Sequence, residues 1–310
     1  IAWELPQKED RYIHVGIAVY DRSDTFMESY IRELEDKIGQ TRILGKKVSY
    51  EIYDAEGIGS RQEKQLQEMY AQDYDVMLVN LVEPASAAGV LTDAKDADIP
   101  VILFNREIDE KDLKISKNVW YVGTDARAAG VMQGKLLKDL WKKQSRILDW
   151  NGNGMLDYVL VEGEESHFDA IRRTSGFLET GAELPLNQKG NILAEWKREL
   201  AYEKFAALDD EAVQNVEAVI CNNDDMALGV YDYYKEKNLK LPVIIGINNS
   251  EEMHQKIMSG EMYGTIDNKM EDQVMEICRL MQAILKKDTG SYQKVWYSTP
   301  KAIVKAEGTE

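Results

Sequence analysis

The chain alternates short apolar runs with amphipathic segments in which apolar residues recur every three or four positions. Most of the runs are almost continuously apolar, which is typical of strands covered on both faces of a sheet. They predict strands over 14–21, 47–54, 76–81, 100–105, 119–125, 155–163, 217–224 and 242–248.

The amphipathic segments between these runs predict helices. Phe26, Tyr30 and Leu34 form one apolar stripe, and further helices are predicted over 126–143 and about 268–287. Strands that alternate with helices predict an α/β fold with doubly wound parallel sheets. Because 310 residues exceed one ordinary core, we expect two Rossmann-like lobes.

Composition narrows the class of protein. A content of 44% apolar and 30% charged residues is typical of a globular protein. The net charge of −17 argues against nucleic acid and anionic membranes as partners. Cys221 and Cys278 lie in a strand pattern and a helix pattern, which predicts core residues rather than a disulfide or a metal pair.

Polar side chains follow six of the predicted strands, in "YDRSD", "VNLVEP", "FNRE", "GEESHFD", "NNDD" and "INNS". In open α/β sheets the ligand crevice lies at the carboxyl ends of the strands. Groups that donate and accept hydrogen bonds suit a neutral, hydroxyl-rich ligand. Asp169 and Arg173, with the aromatic residues Phe26 and Trp196, favour a sugar, whose faces are apolar and whose rim is polar.

Each of these residues has a structural alternative. Asn and Asp are common in turns and at helix N-caps. Asp169 and Arg173 are four positions apart and could form a surface ion pair on a helix. Phe26 could anchor the core of the first helix, and Trp196 could be a loop residue.

The stretch "DWNGNGMLD", 149–157, has the pattern of a calcium loop. Asp149, Asn151, Asn153 and Asp157 match positions 1, 3, 5 and 9 of an EF-hand, with a glycine at position 6. The twelfth position, where a bidentate Glu closes an EF-hand, is Leu160. The residues therefore predict a Ca²⁺ loop whose last ligand comes from elsewhere.

No sequence motif supports an enzyme. The chain has no G-x-S-x-G, P-loop or H-E-x-x-H motif. Asp24 and Asp169 could be drawn as the acidic pair of a glycosidase. Polar groups spread over both halves of the chain suit binding better than catalysis.

Together these motifs resemble the bacterial galactose/glucose-binding proteins, sugar receptors of the type I periplasmic-binding family. The resemblance covers nearly the whole chain, and beside the calcium loop it rests on "VYDRSDTFM", "VNLVEPASAAG", "IPVILFNRE", "YVGTDARAAGVMQG", "EGEESHFDAIRR", "VICNNDDMALG" and "SGEMYGTIDN". It implies two lobes joined by three hinge crossings, 1–99 with 268–298 and 100–267 with 299–310. The two lobes would close on one sugar, glucose or galactose.

The resemblance also implies the ligands of both sites. The structural Ca²⁺ would be held by Asp149, Asn151, Asn153, the carbonyl of Met155, Asp157 and the distant Glu217. The sugar would be bound by Asp24, Phe26 and Asn80 in the first lobe, and by His167, Asp169, Arg173, Trp196, Asn223, Asn248 and Asn268. Phe26 and Trp196 would stack on opposite faces of the sugar.

This chain departs from the family pattern at two positions. It has Asn248 where the family has a carboxylate, and Asp267 where an apolar residue is usual. We expect either that Asp267 restores the missing carboxylate or that it only solvates a hinge crossing.

The resemblance favours a non-enzymatic, monomeric receptor that delivers its sugar to the permease of an ABC importer and signals to a chemoreceptor. Its location would be extracytoplasmic, in a periplasm or lipid-anchored on the outer face of the cell membrane. The alternative is the sugar-sensing domain of a signalling or regulatory system. The N-terminal segment "IAWELPQKEDRYIH" is too short for the helix-turn-helix of a repressor.

Overall fold

The computed structural model describes residues 12–208 and 210–305. The strands, numbered in chain order, are β1 (Tyr12–Val19), β2 (Arg42–Ile43), β3 (Lys46–Asp54), β4 (Val76–Val79), β5 (Val101–Phe104), β6 (Val119–Thr124), β7 (Leu156–Glu162), β8 (Leu186–Leu193), β9 (Ala218–Cys221), β10 (Val243–Ile245), β11 (Gly264–Asp267), β12 (Val295–Ser298) and β13 (Lys301–Val304). The α-helices are α1 (Thr25–Gln40), α2 (Gly59–Tyr70), α3 (Ala87–Asp96), α4 (Ala126–Leu148), α5 (Phe168–Gly181), α6 (Arg198–Ala206), α7 (Asp210–Gln214), α8 (Asp224–Glu236), α9 (Glu251–Ser259) and α10 (Met270–Leu285).

In the part of the chain that the structure describes, the first lobe consists of Tyr12–Gly123 and Met270–Ser298. Its sheet has the strand order β12-β6-β5-β4-β1-β3-β2, and the pairs from β3 through β6 are parallel. Helices α1 and α10 cover one face of this sheet, and α2 and α3 cover the other. The strands are therefore buried on both sides, which explains their almost continuous apolar sequence.

Within the described residues, the second lobe consists of Thr124–Lys269 and Thr299–Lys305. Its sheet has the order β13-β11-β10-β9-β7-β8, parallel except for the antiparallel pair of β11 and β13. Helices α4 and α5 pack on one face, and α6, α8 and α9 pack on the other. Both lobes confirm the predicted α/β class with doubly wound parallel sheets.

All eight predicted strands are present, and the predicted helix over 126–143 continues to Leu148 after a non-helical residue at Gln144. The sequence pattern missed β2, β8, β11, β12 and β13. These strands are short or lie near a sheet edge, where water-exposed polar residues interrupt the apolar runs. In β8, Gln188, Lys189 and Asn191 are examples of such residues.

The predicted lobe boundary at residue 100 needs correction. β5 pairs with β4, and β6 pairs with β5, so residues 100–123 belong to the first lobe. The chain leaves this lobe after Gly123, re-enters it at Met270 and leaves it again after Ser298. The last crossing is where it was predicted, and the second lies two residues later than predicted.

Candidate ligand-binding site

In the first lobe, polar groups collect where β1 ends and α1 begins. Asp24 is the N-cap of α1, and its Oδ1 accepts a hydrogen bond of 2.8 Å from the backbone N–H of Met27. Its other carboxylate oxygen accepts from the hydroxyl of Tyr20. Burial and the neighbouring Asp24 raise the pKa of Tyr20 well above its usual value, so its hydroxyl stays a donor. Asp24 is thus a half-buried, oriented carboxylate.

Phe26 lies two residues into α1 and is half-buried. Its ring makes an edge-to-face contact with Tyr30, with centroids 6.0 Å apart, and packs against the first-lobe core. One part of the Phe26 ring therefore contacts the core, and another part is exposed. The two expectations for Phe26, a core anchor and a ring that stacks on a sugar, are compatible.

Asn80 does not suit the binding role expected of it, because its side chain is fully buried and engaged. Its Oδ1 accepts from the N–H of Tyr20 at 3.1 Å, and its Nδ2 donates to the carbonyl of Phe104 at 3.2 Å. Nδ2 also lies 3.3 Å from Oδ1 of Asn105. We correct the prediction: Asn80 ties the ends of β1, β4 and β5 together.

Asn105, which follows β5, is a candidate ligand that sequence reasoning missed. It is half-buried, adopts the left-handed backbone conformation with φ of 65°, and has its Oδ1 held by Asn80. The sequence signal was available, because Asn105 begins the polar strand ending "NRE". Asn80 and Asn105 look alike in sequence, and only the structure shows which one is buried.

In the second lobe, His167 and Asp169 lie at the start of α5, which follows β7 after a short loop. His167 is the N-cap, and its Nδ1 accepts from the N–H of Asp169 at 3.2 Å. A neutral imidazole that accepts at Nδ1 carries its proton on Nε2. Both side chains are buried, with 4% and 6% of their surface exposed. The helix start therefore places an imidazole and a carboxylate next to each other.

Trp196 is held in an unusual backbone conformation after β8. Glu195 and Trp196 both have positive φ, 49° and 66°. The indole N–H donates to Glu164 at 3.0 Å, and the ring lies so close to Gly163 that a Cβ there would be 2.3 Å from it. A glycine is therefore required at position 163, and the Trp196 ring is fixed while remaining half-exposed.

Arg173 and Asn223 complete this cluster. The guanidinium of Arg173 lies 5.5 Å from the centroid of the Trp196 ring and donates to the carbonyl of Asn222 at 2.7 Å. The His167 ring is 5.4 Å from the Trp196 ring, edge-on. Asn223 is the N-cap of α8, and its Nδ2 donates to the Trp196 carbonyl at 3.1 Å. The ends of β7, β8 and β9 thus bring together an aromatic face, a buried cation and amide groups.

Asn248 and Asn268 form an amide pair after β10 and β11. Nδ2 of Asn268 donates to Oδ1 of Asn248 at 3.1 Å, and Asn248 has φ of 124°. Asp267 is not part of this pair. Its carboxylate accepts from the N–H of Lys269 at 2.7 Å and lies 3.6 Å from the Lys269 ammonium. This geometry favours the expectation that Asp267 only solvates the crossing over the expectation that it restores the missing carboxylate.

The loop 149–157 adopts a turn around its own polar groups. Backbone N–H groups of Asn153 and Gly154 donate to the Asp149 carboxylate at 3.0 and 2.9 Å. The distant Glu217 accepts from the N–H of Asn151 at 3.3 Å and of Asp157 at 2.9 Å. The sequence separation of 60 residues or more is bridged because Glu217 immediately precedes β9, which pairs with β7.

The oxygen groups of this loop fit a hard cation. Glu217 is fully buried, and burial, together with the charges of Asp157 and Asp149, raises the pKa of its carboxyl. A divalent cation would offset both the desolvation of the Glu217 carboxylate and its repulsion by Asp157 and Asp149. In the described ranges, no group of three or more His, Cys, Asp or Glu side chains is by itself arranged to hold a metal ion. A Ca²⁺ site would therefore also need the oxygens of Asn151, Asn153 and Met155.

Comparison with known proteins decides the family. The model of the periplasmic binding protein domain matches residues 15–289. The chain belongs to the periplasmic binding protein family.

Two relatives of this periplasmic binding protein are named for sugars. The D-galactose/methyl-galactoside binding periplasmic protein MglB of Haemophilus influenzae is 30% identical over 290 residues, covering 91% of this chain and 84% of that protein. The galactofuranose-binding protein YtfQ of Escherichia coli is 27% identical over 248 residues, covering 77% and 74%.

A solved structure shows the same fold. The periplasmic solute binding protein of an ABC transporter from Actinobacillus succinogenes, with bound D-allose, superposes with a TM-score of 0.80 at 19% identity, covering 94% of this chain and 97% of that chain. Within residues 12–208 and 210–305 of this periplasmic binding protein, no helix has the length and apolar character needed to cross a membrane.

Proposed function

We propose that this periplasmic binding protein is an extracytoplasmic sugar receptor that delivers a hexose, glucose or galactose, to the permease of an ABC importer. The observation that carries the proposal is the second-lobe cluster of Trp196, Arg173, His167 and Asn223. Its aromatic face sits beside a buried cation and oriented amides. The names of the two curated relatives, both sugar-binding proteins, support the same class of ligand.

The chemistry of the side chains suits a pyranose. The exposed part of the Trp196 ring offers an apolar surface for the C–H face of a sugar, as Phe26 does in the first lobe. Asp24 and Asp169 accept hydrogen bonds from hydroxyl groups, while Arg173 and His167 Nε2 donate to them. Asn105, Asn223, Asn248 and Asn268 add amide groups that donate and accept. Sugar hydroxyls also donate and accept hydrogen bonds. This mixed set of donors and acceptors therefore suits a sugar better than a charged ligand.

We also propose that the protein binds one structural Ca²⁺ through the loop 149–157 and Glu217. Asp149, Asp157 and Glu217 would supply three carboxylates, and Asn151, Asn153 and the Met155 carbonyl would supply neutral oxygens. The ion would neutralise the buried Glu217 carboxylate and so stabilise the second lobe. The ion has no catalytic task in this proposal, because the receptor is non-enzymatic. We also propose that the receptor acts as a monomer.

The test is a thermal-shift screen of the calcium-loaded protein against monosaccharides, repeated with EDTA. A hexose at about a hundred times its Kd should add about 2.7 kcal/mol of stability, which gives a clear rise in melting temperature. EDTA should lower the melting temperature without any sugar. Chromogenic glycosides should remain intact on prolonged incubation; their cleavage would show an enzyme instead.

A further inference from the structure

Asp224 is a buried carboxylate next to, but outside, the proposed set of sugar ligands. It is the first residue of α8, directly after Asn223, and only 1% of its surface is exposed. Its Oδ1 accepts from the hydroxyl of Thr265 at 2.6 Å, and its Oδ2 accepts from the N–H of Ser250 at 2.7 Å. A single side chain thus joins α8 to β11 and to the segment that follows β10.

The segment 246–250, which follows β10, has a backbone that most residues avoid. Asn248 and Asn249 have φ of 124° and 55°, in succession. Such conformations persist only where surrounding contacts impose them. The N–H of Asp224 donates to the carbonyl of Ile247 at 2.9 Å, and Asn248 N–H donates to Ile266 at 2.8 Å. Bonds to Asp224 therefore flank the two strained residues, at Ile247 before them and at Ser250 after them.

Close packing leaves this arrangement little freedom. A Cβ on Gly246 would lie 2.1 Å from Oδ1 of Asp224, so only glycine allows the carboxylate to approach. Thr265, which donates to the same oxygen, is fully buried and lies three residues before Asn268. The amide of Asn268 in turn donates to Asn248. Asp224 thus fixes both backbone segments that carry the amide pair.

We propose that Asp224 is a positioning residue that holds the segment 246–250 in the conformation that presents the Asn248 amide to the sugar. This inference rests on the proposed function for its ligand, but its structural half concerns the free protein. Asp224 touches no sugar in this proposal and acts through Asn248.

The first measurement is hydrogen exchange on the sugar-free protein. Asp224→Asn keeps the shape of the side chain but replaces one acceptor oxygen with an NH₂ donor. This donor faces the hydroxyl of Thr265 or the N–H of Ser250, so one of the two hydrogen bonds to residue 224 is lost. Exchange of the backbone amides of 246–250 should become at least tenfold faster. Tyr234→Phe is the matched control, because it removes another buried hydrogen bond of α8, from Tyr234 to the Val213 carbonyl at 2.9 Å. It should leave exchange in 246–250 unchanged.

The second measurement is a double-mutant cycle on sugar affinity, by calorimetry with glucose and galactose. Asn248→Gly removes the amide and suits the φ of 124° at this position. Asp224→Asn should weaken binding at least tenfold in the wild-type background and less than twofold in the Asn248→Gly background. Thr265→Val, which removes one donor to the carboxylate, takes the place of Asp224→Asn if that variant does not fold.

The outcomes separate the inference from the proposed function. Equal losses of affinity in both backgrounds would show that Asp224 acts on another group, such as Asn223, and would overturn the inference. Unchanged exchange in 246–250 would overturn it as well. If the wild-type protein binds neither sugar, the proposed function fails, while the exchange measurement still decides whether Asp224 holds this segment.

Discussion

The side chains at the sheet ends of the second lobe constrain one another. Trp196 is fixed by Glu164, by the absence of a side chain at Gly163 and by the amide of Asn223. Because these groups are already ordered in the free protein, sugar binding has a smaller entropic cost. A sugar then meets a ring whose position is set in advance.

We expect Trp196→Ala to weaken hexose binding at least tenfold, about 1.4 kcal/mol, because the apolar face beneath the sugar is lost. Trp196→Phe keeps a ring and should recover part of the affinity. Isothermal titration calorimetry measures both. If Trp196→Ala binds as tightly as the wild type while remaining folded, the ring takes no part in binding.

The contacts of Asn248 and Asp267 lead to a second prediction, which concerns sugar affinity. Because Asp267 is bonded to Lys269, Asp267→Asn should change sugar affinity less than twofold. Asn248→Asp should tighten binding, since a carboxylate forms stronger, charge-assisted bonds with hydroxyls. Calorimetry with one hexose compares the two variants. A tenfold loss in Asp267→Asn would instead show that this carboxylate reaches the ligand.

Asn80 and Asn105 show why residues of one type are hard to assign from sequence. Both follow apolar strands, and both occur in motifs that resemble the sugar-binding family. The difference lies in burial and in the positive φ of Asn105, which depend on neighbouring strands and leave no local pattern. That Trp196, His167 and Arg173 lie close together was predictable, because they follow strand ends that the sequence already marked as polar.

At the scale of elements, the N-terminus of α8 contains a group that links stability to pH. Burial, with a smaller contribution from the charge of Asp225, raises the pKa of Asp224 to about 7, while hydrogen bonds from Thr265 and Ser250 oppose the shift. The unfolded carboxyl titrates at about 3.9. Between these values the folded protein keeps a proton that the unfolded chain has lost, so unfolding releases it.

The free energy of unfolding should therefore fall as the pH rises from about 4 to about 7, by up to about 1.4 kcal/mol per pH unit from this group. Asp224→Asn should flatten that slope, and Tyr234→Phe should keep it. Urea titrations at a series of pH values measure the slope. An unchanged slope in Asp224→Asn would mean that the carboxyl does not titrate in this window.

The loop 149–157 is an element whose stability we expect to depend on calcium. Glu217→Gln removes the carboxylate that would close the site, so the variant should melt at a lower temperature in excess Ca²⁺ and respond little to EDTA. Glu199→Gln, on the exposed side of α6, is the control and should keep the wild-type response. Thermal scans with and without EDTA give the comparison. An equal EDTA effect in Glu217→Gln and wild type would contradict the proposed ligand.

Elements were easier to predict than their assignment to lobes. The apolar runs of β5 and β6 were clear, yet the sequence contains no sign that they extend the first sheet. Strand pairing is a long-range property, and neighbouring strands such as β6 and β12 are more than 170 residues apart in the chain. Edge strands such as β8 and β13 were not predicted, because exposed polar residues interrupt their apolar sequence pattern.

At the scale of the whole molecule, each of the two lobes has polar side chains at the carboxyl ends of its parallel strands. In the first lobe these side chains are Asp24, Phe26 and Asn105, and in the second lobe they are the Trp196 cluster and the amide pair. The central claim is that the ligand of this protein is a hexose. Membership of the periplasmic binding protein family supports a solute ligand, and the side chains narrow it to a sugar.

Isothermal titration calorimetry of the calcium-loaded protein with glucose and with galactose tests this claim most directly. We predict that at least one of them binds with a stoichiometry of one and a Kd in the micromolar range or tighter, equivalent to about 8 kcal/mol or more. A pentose that binds while both hexoses fail would move the protein to another class of sugar receptor. No binding of any hexose or pentose at millimolar concentration would contradict the account.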